Sequence, residues 1–530
     1  MKYVFITGGV VSSIGKGITA AALGKLLHSR GYKTNLLKLD IYYNAEPSRL
    51  NPLLHGESFI TDDGTAADLD IGHYERIVDV TLTGESSYTT GRIHRRIMEK
   101  EWRGEYRGAK IQAIPHVTDE IKACIQEVAE NSGADIQIVE IGGTVGDMEV
   151  MVYVEAIRQM RWVCESLNDC CYIHVTLMPF IATAGELKTK PTQNSVKVLR
   201  SMGIQPDVIV CRTEKSMTTE AKDKVALFCN VKSQNVIQNL ESDGFYELPV
   251  SLEKQGLSRL VLGELGLEDR QADLDAWNEM LYRKAAATET VYLALVCAYP
   301  DSPNAYRSVL EALQHAGTAE GVKVDVATIS AEDLDDDTSG QMLAAFDAFI
   351  LPGGYEMRGA EGVMIAAKFA RENKVPILSI GLGMQLTLIE AAQNLLGLKD
   401  ANTVEMDPAT PHPVVYLPEG RSLNGTNAPK LRIGGSEIRL GEGIIKNAYG
   451  CETARERHSN GYEINPDYIG RLEAAGFKQT AVSADGQYAE AFELDGHPYD
   501  CAVLYHPEYI SRPNRPHPLF VQLIRHAMNQ

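Results

Sequence analysis

Buried strands and amphipathic helices alternate along the chain, and this alternation constrains its fold more than any other feature. Short apolar runs typical of buried strands occupy residues 3–7, 34–39, 136–141, 172–177 and 207–211. Amphipathic stretches lie between them at residues 17–30, 117–131 and 150–165. Strands and helices that alternate in this way predict an α/β fold built on a doubly wound, mostly parallel sheet.

The alternation resumes after a polar stretch, which predicts a second α/β domain. A strand is expected from Val291, followed by a helix at 304–315, a strand at 323–329, a helix at 339–344 and a strand at 347–351. A chain of 530 residues is too long for one hydrophobic core. We therefore predict domains at 1–265 and 290–530, joined by a linker at 266–289 that contains a helix near 273–285.

Composition narrows the class of protein. A net charge of −20 argues against nucleic acid and anionic membranes as partners. No apolar run reaches the roughly 18–20 residues of a membrane helix, and residues 1–7 resemble a first strand rather than a signal peptide. The nine cysteines form no C-x-x-C pair, so a disulfide scaffold or a zinc site is not expected. These features predict a cytoplasmic protein with reduced thiols.

A glycine-rich segment, Thr7–Gly17, follows the first strand and opens a helix. Glycines let backbone N–H groups approach phosphate oxygens, and Lys16 adds a positive charge. The match to a Walker A loop is imperfect, because five residues separate Gly9 from Gly15 and Gly17 replaces the Ser or Thr that would hold Mg²⁺. We predict a phosphate site that includes Ser12, Ser13, Ile14, Gly15, Lys16, Gly17 and Ile18.

Without a hydroxyl ligand in that loop, carboxylates must hold the metal. Asp70 and Glu140 are the candidates, each expected at a strand end or in an adjoining loop beside glycines. Mg²⁺ accepts one or two carboxylates together with phosphates and water. A second basic cluster, residues 188–193 with Lys224, predicts another anion site, although an exposed lysine-rich loop would give the same pattern.

The second domain carries the layout of a nucleophile elbow without a nucleophile. An apolar strand, Val375–Ile380, runs into a turn at Gly381 and then into an apolar helix. Glycine has no side chain that could attack a substrate. Leu351-Pro352-Gly353-Gly354 upstream and His506-Pro507-Glu508 near the C-terminus complete the surroundings of such a site. The sequence predicts a hydrolase-like domain that lacks its reacting atom.

The chain resembles the CTP synthase family from end to end, and several long motifs carry this resemblance. They are Gly8–Gly17, Lys38-Leu39-Asp40, residues 68–76 (Asp-Leu-Asp-Ile-Gly-His-Tyr-Glu-Arg), Gln112–His116, residues 140–147 (Glu-Ile-Gly-Gly-Thr-Val-Gly-Asp) and residues 185–193 (Gly-Glu-Leu-Lys-Thr-Lys-Pro-Thr-Gln). The resemblance implies an N-terminal P-loop-like amidoligase domain and a C-terminal class I glutamine amidotransferase-like domain. It also implies a homotetramer.

The resemblance implies that ATP phosphorylates O4 of UTP, and that ammonia then displaces the phosphate to give CTP. Lys16 and Lys38 would stabilise the transferring phosphoryl group, and Asp70 and Glu140 would hold Mg²⁺. The positions that match nucleotide-binding residues are Lys188, Lys190, Gln193 and Lys224 for the triphosphate, Asp147 and Glu149 near the pyrimidine nucleotide, and Ser12 and Gln112 near the uracil.

The chain departs from the family pattern around the amidotransferase site. His506 and Glu508 match the general base and its orienting acid, but Gly381 stands at the Cys position. Glu356 stands at a Gly position of the oxyanion segment. The stretch Arg457-His458-Ser459-Asn460-Gly461-Tyr462-Glu463 lacks basic residues of the family's glutamine-holding segment. We interpret these departures as loss of glutaminase activity.

Two further departures lie in the N-terminal half. The segment Ile41–Asn51 differs from the family pattern, and Ser58 stands where the family has an apolar residue beside the ammonia passage. The sequence thus favours ATP-dependent amination of a pyrimidine nucleotide, from UTP to CTP or a CTP-like product, by ammonia or another small amine and without glutamine hydrolysis. Two alternatives stay open: a ligase that uses another amine or amino acid, and a non-catalytic regulatory paralogue.

Overall fold

A computed structural model describes residues 1–45, 50–241, 244–336, 338–354, 357–422 and 429–529. The chain forms two compact units. The first unit contains Met1–Pro47 and Asp70–Asn278, and the second contains Ser48–Leu69 and Glu279–Gln530. This division differs from the predicted continuous domain at 1–265, because residues of the 48–69 segment pack within the second unit.

In the first unit, seven described strands form one sheet in the order β11-β10-β7-β1-β6-β2-β5. They are β1 (Lys2–Gly8), β2 (Thr34–Asp40), β5 (Ser87–Thr89), β6 (Ile136–Ile141), β7 (Cys170–Leu177), β10 (Val208–Thr213) and β11 (Val236–Leu240). Every neighbouring pair is parallel, which confirms the predicted sheet. A short hairpin, β8 (Phe180–Ile181) with β9 (Glu186–Leu187), is separate.

Each of the six helices predicted from the sequence overlaps one of the described helices. They are α1 (Lys16–Ser29), α2 (Pro52–His55), α3 (Leu69–Val78), α4 (Thr90–Trp102), α5 (Thr118–Ser132), α6 (Met151–Val163), α7 (Lys190–Ser201), α8 (Thr219–Cys229), α9 (Leu248–Lys254), α10 (Leu257–Glu264), α11 (Asp275–Ala286), α12 (Arg307–Glu320), α13 (Gly340–Leu343), α14 (Ala360–Asn373), α15 (Leu382–Asn394), α16 (Ile444–Tyr449), α17 (Pro466–Ala474) and α18 (Pro518–Ala527). A π-helical turn precedes α5 at Ala113–Val117.

The central strand of the first unit is buried on both faces. Tyr3 and Phe5 belong to a core cluster with side chains of α5 and α6. Successive side chains of a strand point to opposite faces, so Val4 and Ile6, both fully buried, face the other side. The helix α1 lies against the sheet closely enough that an ideal Cβ on Gly24 would lie 3.4 Å from Leu36 Cδ1.

The second unit is built on nine described strands in the order β13-β12-β14-β15-β23-β22-β21-β18-β19. They are β12 (Thr290–Cys297), β13 (Lys323–Ser330), β14 (Ala348–Leu351), β15 (Ile377–Ile380), β18 (Arg432–Leu440), β19 (Thr453–Asn460), β21 (Phe477–Ser483), β22 (Ala489–Leu494) and β23 (Asp500–Val503). The sheet is parallel from β13 to β23 and antiparallel beyond.

Smaller strands complete the second unit. They are β3 (Phe59–Ile60), β4 (Ala66–Ala67), β16 (Ala401–Thr403), β17 (His412–Tyr416) and β20 (Glu463–Ile464). Two core clusters lie on the two faces of the large sheet. Leu293 and Leu295 belong to the cluster with α12 and α18, and Ala294 and Val296 to the cluster with α14 and α15. This unit is therefore doubly wound, as predicted.

Candidate functional site

The glycine-rich segment turns sharply between β1 and α1. Val10, Ser13 and Gly15 have φ of 83°, 53° and 93°, and α1 begins at Lys16. Ser12 and Ser13 are exposed, Gly15 and Ile18 are half-buried, and Ile14 and Gly17 are buried. Backbone N–H groups at the start of a helix attract anions, and the exposed loop leaves room for one. The predicted strand–loop–helix arrangement is present.

Lys16, the first residue of α1, and Lys38, near the carboxyl end of β2, lie among carboxylates. Lys16 is 8% exposed, and its Nζ donates a 2.9 Å hydrogen bond to the carbonyl oxygen of Gly143. Lys38 Nζ forms a tight ion pair with Asp70 and lies 3.8 Å from Asp40 Oδ1. Two buried ammonium groups therefore converge with acids at one edge of the sheet, which suits the binding of a polyphosphate.

Asp70 lies in the first turn of α3, so its predicted position at a strand end or loop was wrong. An ideal Cβ on Gly17 would lie 2.5 Å from Asp70 Oδ1. The carboxylate thus occupies the space that a side chain at position 17 would need. Glycine at this position, in place of a metal-binding hydroxyl, lets Asp70 approach the loop.

Glu140 is the penultimate residue of β6 and is 3% exposed. The hydroxyl of Tyr74, which is fully buried, donates a short hydrogen bond to Glu140. Within the described residues no group of three or more His, Cys, Asp or Glu could hold a metal ion. Two carboxylates still suffice for Mg²⁺ that is shared with phosphate oxygens, so Asp70 and Glu140 fit this ion.

The charges in this cluster shift one another's protonation. Burial lowers the pKa of Lys16 below the ordinary lysine value, although nearby Glu140 opposes the shift. Burial alone would raise the pKa of Asp70, but Lys38, His73 and Lys16 outweigh it and hold that pKa below the usual range. Burial raises the pKa of Glu140. The two carboxyl groups are therefore shifted in opposite directions, Asp70 downward and Glu140 upward.

Sequence reasoning missed a buried hydrogen-bonded chain under the glycine-rich loop. His174 on β7 is fully buried, with Nδ1 2.9 Å from Thr7 Oγ1 and Nε2 2.8 Å from Ser195 Oγ. Burial, with a contribution from Lys16, lowers the pKa of His174 to about 3, so its ring is neutral. An ideal Cβ on Gly9 would lie 1.7 Å from Ser195 Oγ, so this chain lies directly against the loop.

The second basic cluster surrounds a cavity of about 500 Å³ in the first unit. Its lysines are Lys188, Lys190, Lys215 and Lys224. Lys215 was missed, because it stands alone in the sequence. Gln193 does not line this cavity, and its Nε2 instead donates a 3.0 Å hydrogen bond to Thr189 Oγ1. Glu186, which pairs with Lys188, and Glu220 also line the cavity, so its four lysines outnumber two acids and favour an anionic ligand.

Among the described residues, the remaining predicted ones form no hydrogen bond with the side chains of Lys16, Lys38, Asp70 and Glu140, which we call the lysine–acid cluster. Ser12, Gln112, Asp147 and Glu149 are all exposed. Asp147 precedes a 3₁₀ turn (Met148–Val150), and the backbone N–H of Gln112 donates to His116 Nδ1. Within the described part of the chain, none of these four side chains hydrogen-bonds to the cluster. Their predicted contacts with a nucleotide stay predictions.

The elbow of the second unit has the geometry that the sequence predicted. Gly381 lies between β15 and α15 with φ 55° and ψ −112°, a conformation that is strained for any residue with a side chain. An ideal Cβ at this position would lie 3.1 Å from His506 Nε2. His506 Nδ1 lies 2.7 Å from Glu508 Oε1, so these two predicted residues are in hydrogen-bond contact. His506 and Glu508 therefore lie beside Gly381, and the roles predicted for them stay predictions.

The segment at residues 457–463, predicted to lack glutamine-holding residues, forms hydrogen bonds and ion pairs within the second unit. His458 Nε2 lies 2.9 Å from Glu490 Oε2, and Arg457 donates to the carbonyl oxygen of Ile60. Glu463 is fully buried and pairs with Arg421 at 2.7 Å. Glu356 and residues 46–49 of the altered Ile41–Asn51 segment lie outside the described residues.

No helix among the described residues is both long and apolar enough to cross a membrane. All nine cysteines are free thiols. Burial raises the pKa of Cys211 to about 12 and of Cys297 to about 11, so these thiols are protonated.

Comparison with known proteins matches both halves of the chain. The family described as "CTP synthase N-terminus" matches residues 2–267, and the family described as "Glutamine amidotransferase class-I" matches residues 302–526. A solved structure of the glutaminase domain of CTPS from Trypanosoma brucei, with bound acivicin, is 30% identical. It covers 45% of this chain and 94% of its own, with a TM-score of 0.44.

Full-length relatives extend the match over the whole chain. CTP synthase from Shouchella clausii (strain KSM-K16) is 45% identical over 529 residues, 99% of each chain. CTP synthase from Synechococcus sp. (strain CC9605) is 47% identical over 536 residues, which cover 100% of this chain and 96% of the relative. Since both halves and nearly the full length match in order, this chain belongs to the CTP synthase family.

Proposed function

We propose that this chain converts UTP into CTP at the expense of ATP, with nitrogen from free ammonia or a small amine rather than from glutamine hydrolysed by its own second unit. The observation that carries the proposal is a contrast. The side chains of Lys16, Lys38, Asp70 and Glu140 lie together in one lysine–acid cluster, whereas a glycine, Gly381, stands at the elbow.

The first unit supports the activation step. Phosphoryl transfer needs little covalent chemistry from a protein, because position and charge supply most of the catalysis. Lys16 and Lys38 would bind the phosphate oxygens of ATP and stabilise charge on the transferring group. Asp70 and Glu140 would hold Mg²⁺, which when bound neutralises phosphate charge. We assign this step to the domain predicted at 1–265, with the lysine-ringed cavity as the site of the second triphosphate.

The second unit supports the absence of glutamine hydrolysis. An amidotransferase of this class needs a nucleophile whose proton is taken by an adjacent base. His506 is held by Glu508 in the orientation that a base requires, but the neighbouring position has no atom to activate. We infer that the domain predicted at 290–530 releases no ammonia from glutamine, and that the amine arrives in another way.

We also propose that the protein is a cytoplasmic homotetramer associated through its first unit. Large apolar side chains are exposed on that unit, including Trp102 at 77%, Trp162 at 74% and Met148 at 82%. Exposed apolar side chains of this size are available for association between subunits. Sedimentation of the full chain tests the tetramer.

The test of the proposed function is an assay of the full chain with UTP, ATP and Mg²⁺. We expect ammonium chloride to yield CTP, identified by its mass, with one ADP formed for each CTP. Glutamine in place of ammonium should yield neither CTP nor glutamate. No nucleotide product with ammonium or any small amine would exclude the ligase and favour the regulatory paralogue.

A further inference from the structure

Two cysteines meet at the amino-terminal edge of the sheet in the first unit. Cys164 caps the carboxyl end of α6, and Cys170 is the first residue of β7. Their Sγ atoms lie 3.6 Å apart, which is hydrogen-bond distance for two thiols. Because all strands of this sheet are parallel, the pair lies at the edge opposite to the lysine–acid cluster, where Lys38 stands near the carboxyl end of β2.

The two thiols differ in exposure and in acidity. Cys164 is partly exposed, whereas Cys170 is 1% exposed. The hydrogen bond from the Cys170 thiol lowers the pKa of Cys164, and Lys2 adds to the shift, although burial and Asp169 oppose it. The same hydrogen bond, together with burial, raises the pKa of Cys170. Since a thiolate is the nucleophile in disulfide exchange, Cys164 is the thiol that reacts first with a molecule in solution.

The chain around the pair allows the two sulfur atoms to come together. Residues 165–168 are exposed, so the segment that follows Cys164 is not packed into the core. Cys170 is held in the sheet, where β7 pairs with β1 and Cys170 stands opposite Tyr3. A disulfide bond measures about 2.05 Å, so the Sγ atoms have to approach by about 1.5 Å from their present 3.6 Å. Movement at the exposed end of α6 supplies this shift while the sheet stays in place.

We propose that Cys164 and Cys170 form a dithiol site that small-molecule disulfides, such as oxidised glutathione, convert reversibly into a disulfide. The Cys164 thiolate attacks one sulfur of the small disulfide, whose S–S bond breaks and releases one thiolate. Cys170 then attacks Sγ of Cys164 and releases the second thiolate. The two protons of the pair pass to the two released thiolates, so two protein thiols are oxidised and one small disulfide is reduced to two thiols. This site is independent of the proposed function.

The experiment uses the full chain with Cys451→Ser, which removes an exposed thiol that would also react. Reduced protein is equilibrated with mixtures of reduced and oxidised glutathione, and free thiols are trapped with N-ethylmaleimide in denaturant. The tryptic peptide Trp162–Lys188 contains Cys164, Cys170 and Cys171. With excess oxidised glutathione, we expect this peptide to lose two hydrogens and to carry one maleimide group and no glutathione. Dithiothreitol should return it to three maleimide groups.

Variants assign the two roles. Cys170→Ala should stop the reaction at a mixed disulfide of glutathione with Cys164, because the second attack is lost. Cys164→Ala should leave Cys170 and Cys171 as free thiols. Cys171→Ala is the matched control and should retain the internal disulfide. Cys171 is adjacent to the pair and fully buried, and burial raises its pKa, but its side chain points to the opposite face of the sheet.

The same titration in concentrated urea tests the contribution of the fold. In the unfolded chain the two cysteines are close only along the sequence, whereas the folded chain holds their Sγ atoms 3.6 Å apart. This contact raises the effective concentration of the second thiol. We therefore expect half-oxidation of the folded chain at a ratio of oxidised glutathione to the square of reduced glutathione at least about 10-fold lower than in urea.

Three results would each overturn the inference. The first is a folded chain that keeps three trapped thiols, or stops at a mixed disulfide, in excess oxidised glutathione. The second is an internal disulfide that still forms in Cys170→Ala. The third is the same midpoint of oxidation in the folded chain and in urea. None of these readouts involves CTP formation, so failure of the proposed function leaves the test of the dithiol site unchanged.

Discussion

The lysine–acid cluster of the first unit and the elbow of the second unit occupy equivalent places in their sheets, but they have different chemical content. Both lie where parallel strands end at their carboxyl edge, the usual location of sites in open α/β folds. The cluster keeps charged side chains in close ion pairs, including Lys38 with Asp70. The elbow keeps its backbone turn and the His506–Glu508 pair, but Gly381 has no reacting atom.

The difference shows that the geometry of a site and its chemistry are separable. Glycine adopts φ 55° without strain, so Gly381 can form the turn although it has no side chain that could act as a nucleophile. A charge-based site has no such separation, because its catalytic power lies in the positions of the charges themselves. The following predictions test this contrast, from the largest expected effect to the smallest.

Loss of a charge from the cluster should have the largest effect. Lys16→Ala or Asp70→Ala should lower ATP-dependent CTP formation by about 10³-fold, because each removes electrostatic stabilisation of the phosphoryl group. Initial rates with saturating ammonium give the measurement, and circular dichroism checks the fold. Lys254→Ala, at an exposed position of α9, is the control and should keep the wild-type rate. Wild-type turnover in either cluster variant would refute the assignment.

Introducing a cysteine nucleophile at the elbow should not restore full glutaminase activity. Gly381→Cys should release glutamate from glutamine at least about 100-fold more slowly than an intact amidotransferase, since one reacting atom cannot replace an adapted substrate pocket. The position also has φ 55°, which strains cysteine. Coupled glutamate detection measures the rate, with the wild-type chain as the blank. Full glutaminase activity in this variant would mean that Gly381 is the sole lesion.

The lowered pKa of Lys16 predicts that the activity of the first unit falls at a pH below 10.5. The ammonium form of Lys16 is the one that stabilises phosphate, and burial lowers its pKa below the ordinary value of 10.5. Activity should therefore be present at lower pH and fall as pH rises through a value below 10.5. The profile of kcat/KM for ATP at saturating ammonia reports the free enzyme. Lys16→Arg should shift the fall in kcat/KM to higher pH. If the fall occurs at the same pH in this variant, a group other than Lys16 causes it.

The buried His174 chain should have the smallest effect, because it positions the loop and does not touch phosphate. Ser195→Ala should raise KM for ATP about 5- to 10-fold with little change in kcat, since it leaves a buried acceptor unpaired. Ser201→Ala, in the same helix but exposed, should change neither constant. A loss of kcat with an unchanged KM would contradict a positioning role.

Sequence patterns predicted the elements well and the long-range contacts poorly. The strand–loop–helix around Lys16 and the elbow at Gly381 are local features, which periodicity and glycine spacing reveal. The predicted position of Asp70 was wrong, because Ile71, Tyr74 and Ile77 have helical spacing and bury one face of α3, which includes Asp70. That spacing was the available signal. No local signal joins His174 to Ser195 or places Glu57 with Ser308, since those contacts depend on tertiary packing.

The central claim is that the first unit aminates a nucleotide while the second unit releases no ammonia. The direct test incubates the full chain with UTP, ATP and Mg²⁺, once with ¹⁵N-ammonium and unlabelled glutamine, and once with unlabelled ammonium and amide-¹⁵N-glutamine. The mass of the CTP formed is then measured. We predict that CTP carries ¹⁵N in the first incubation and none in the second. Label from the glutamine amide in CTP, or no CTP in either incubation, would contradict the account.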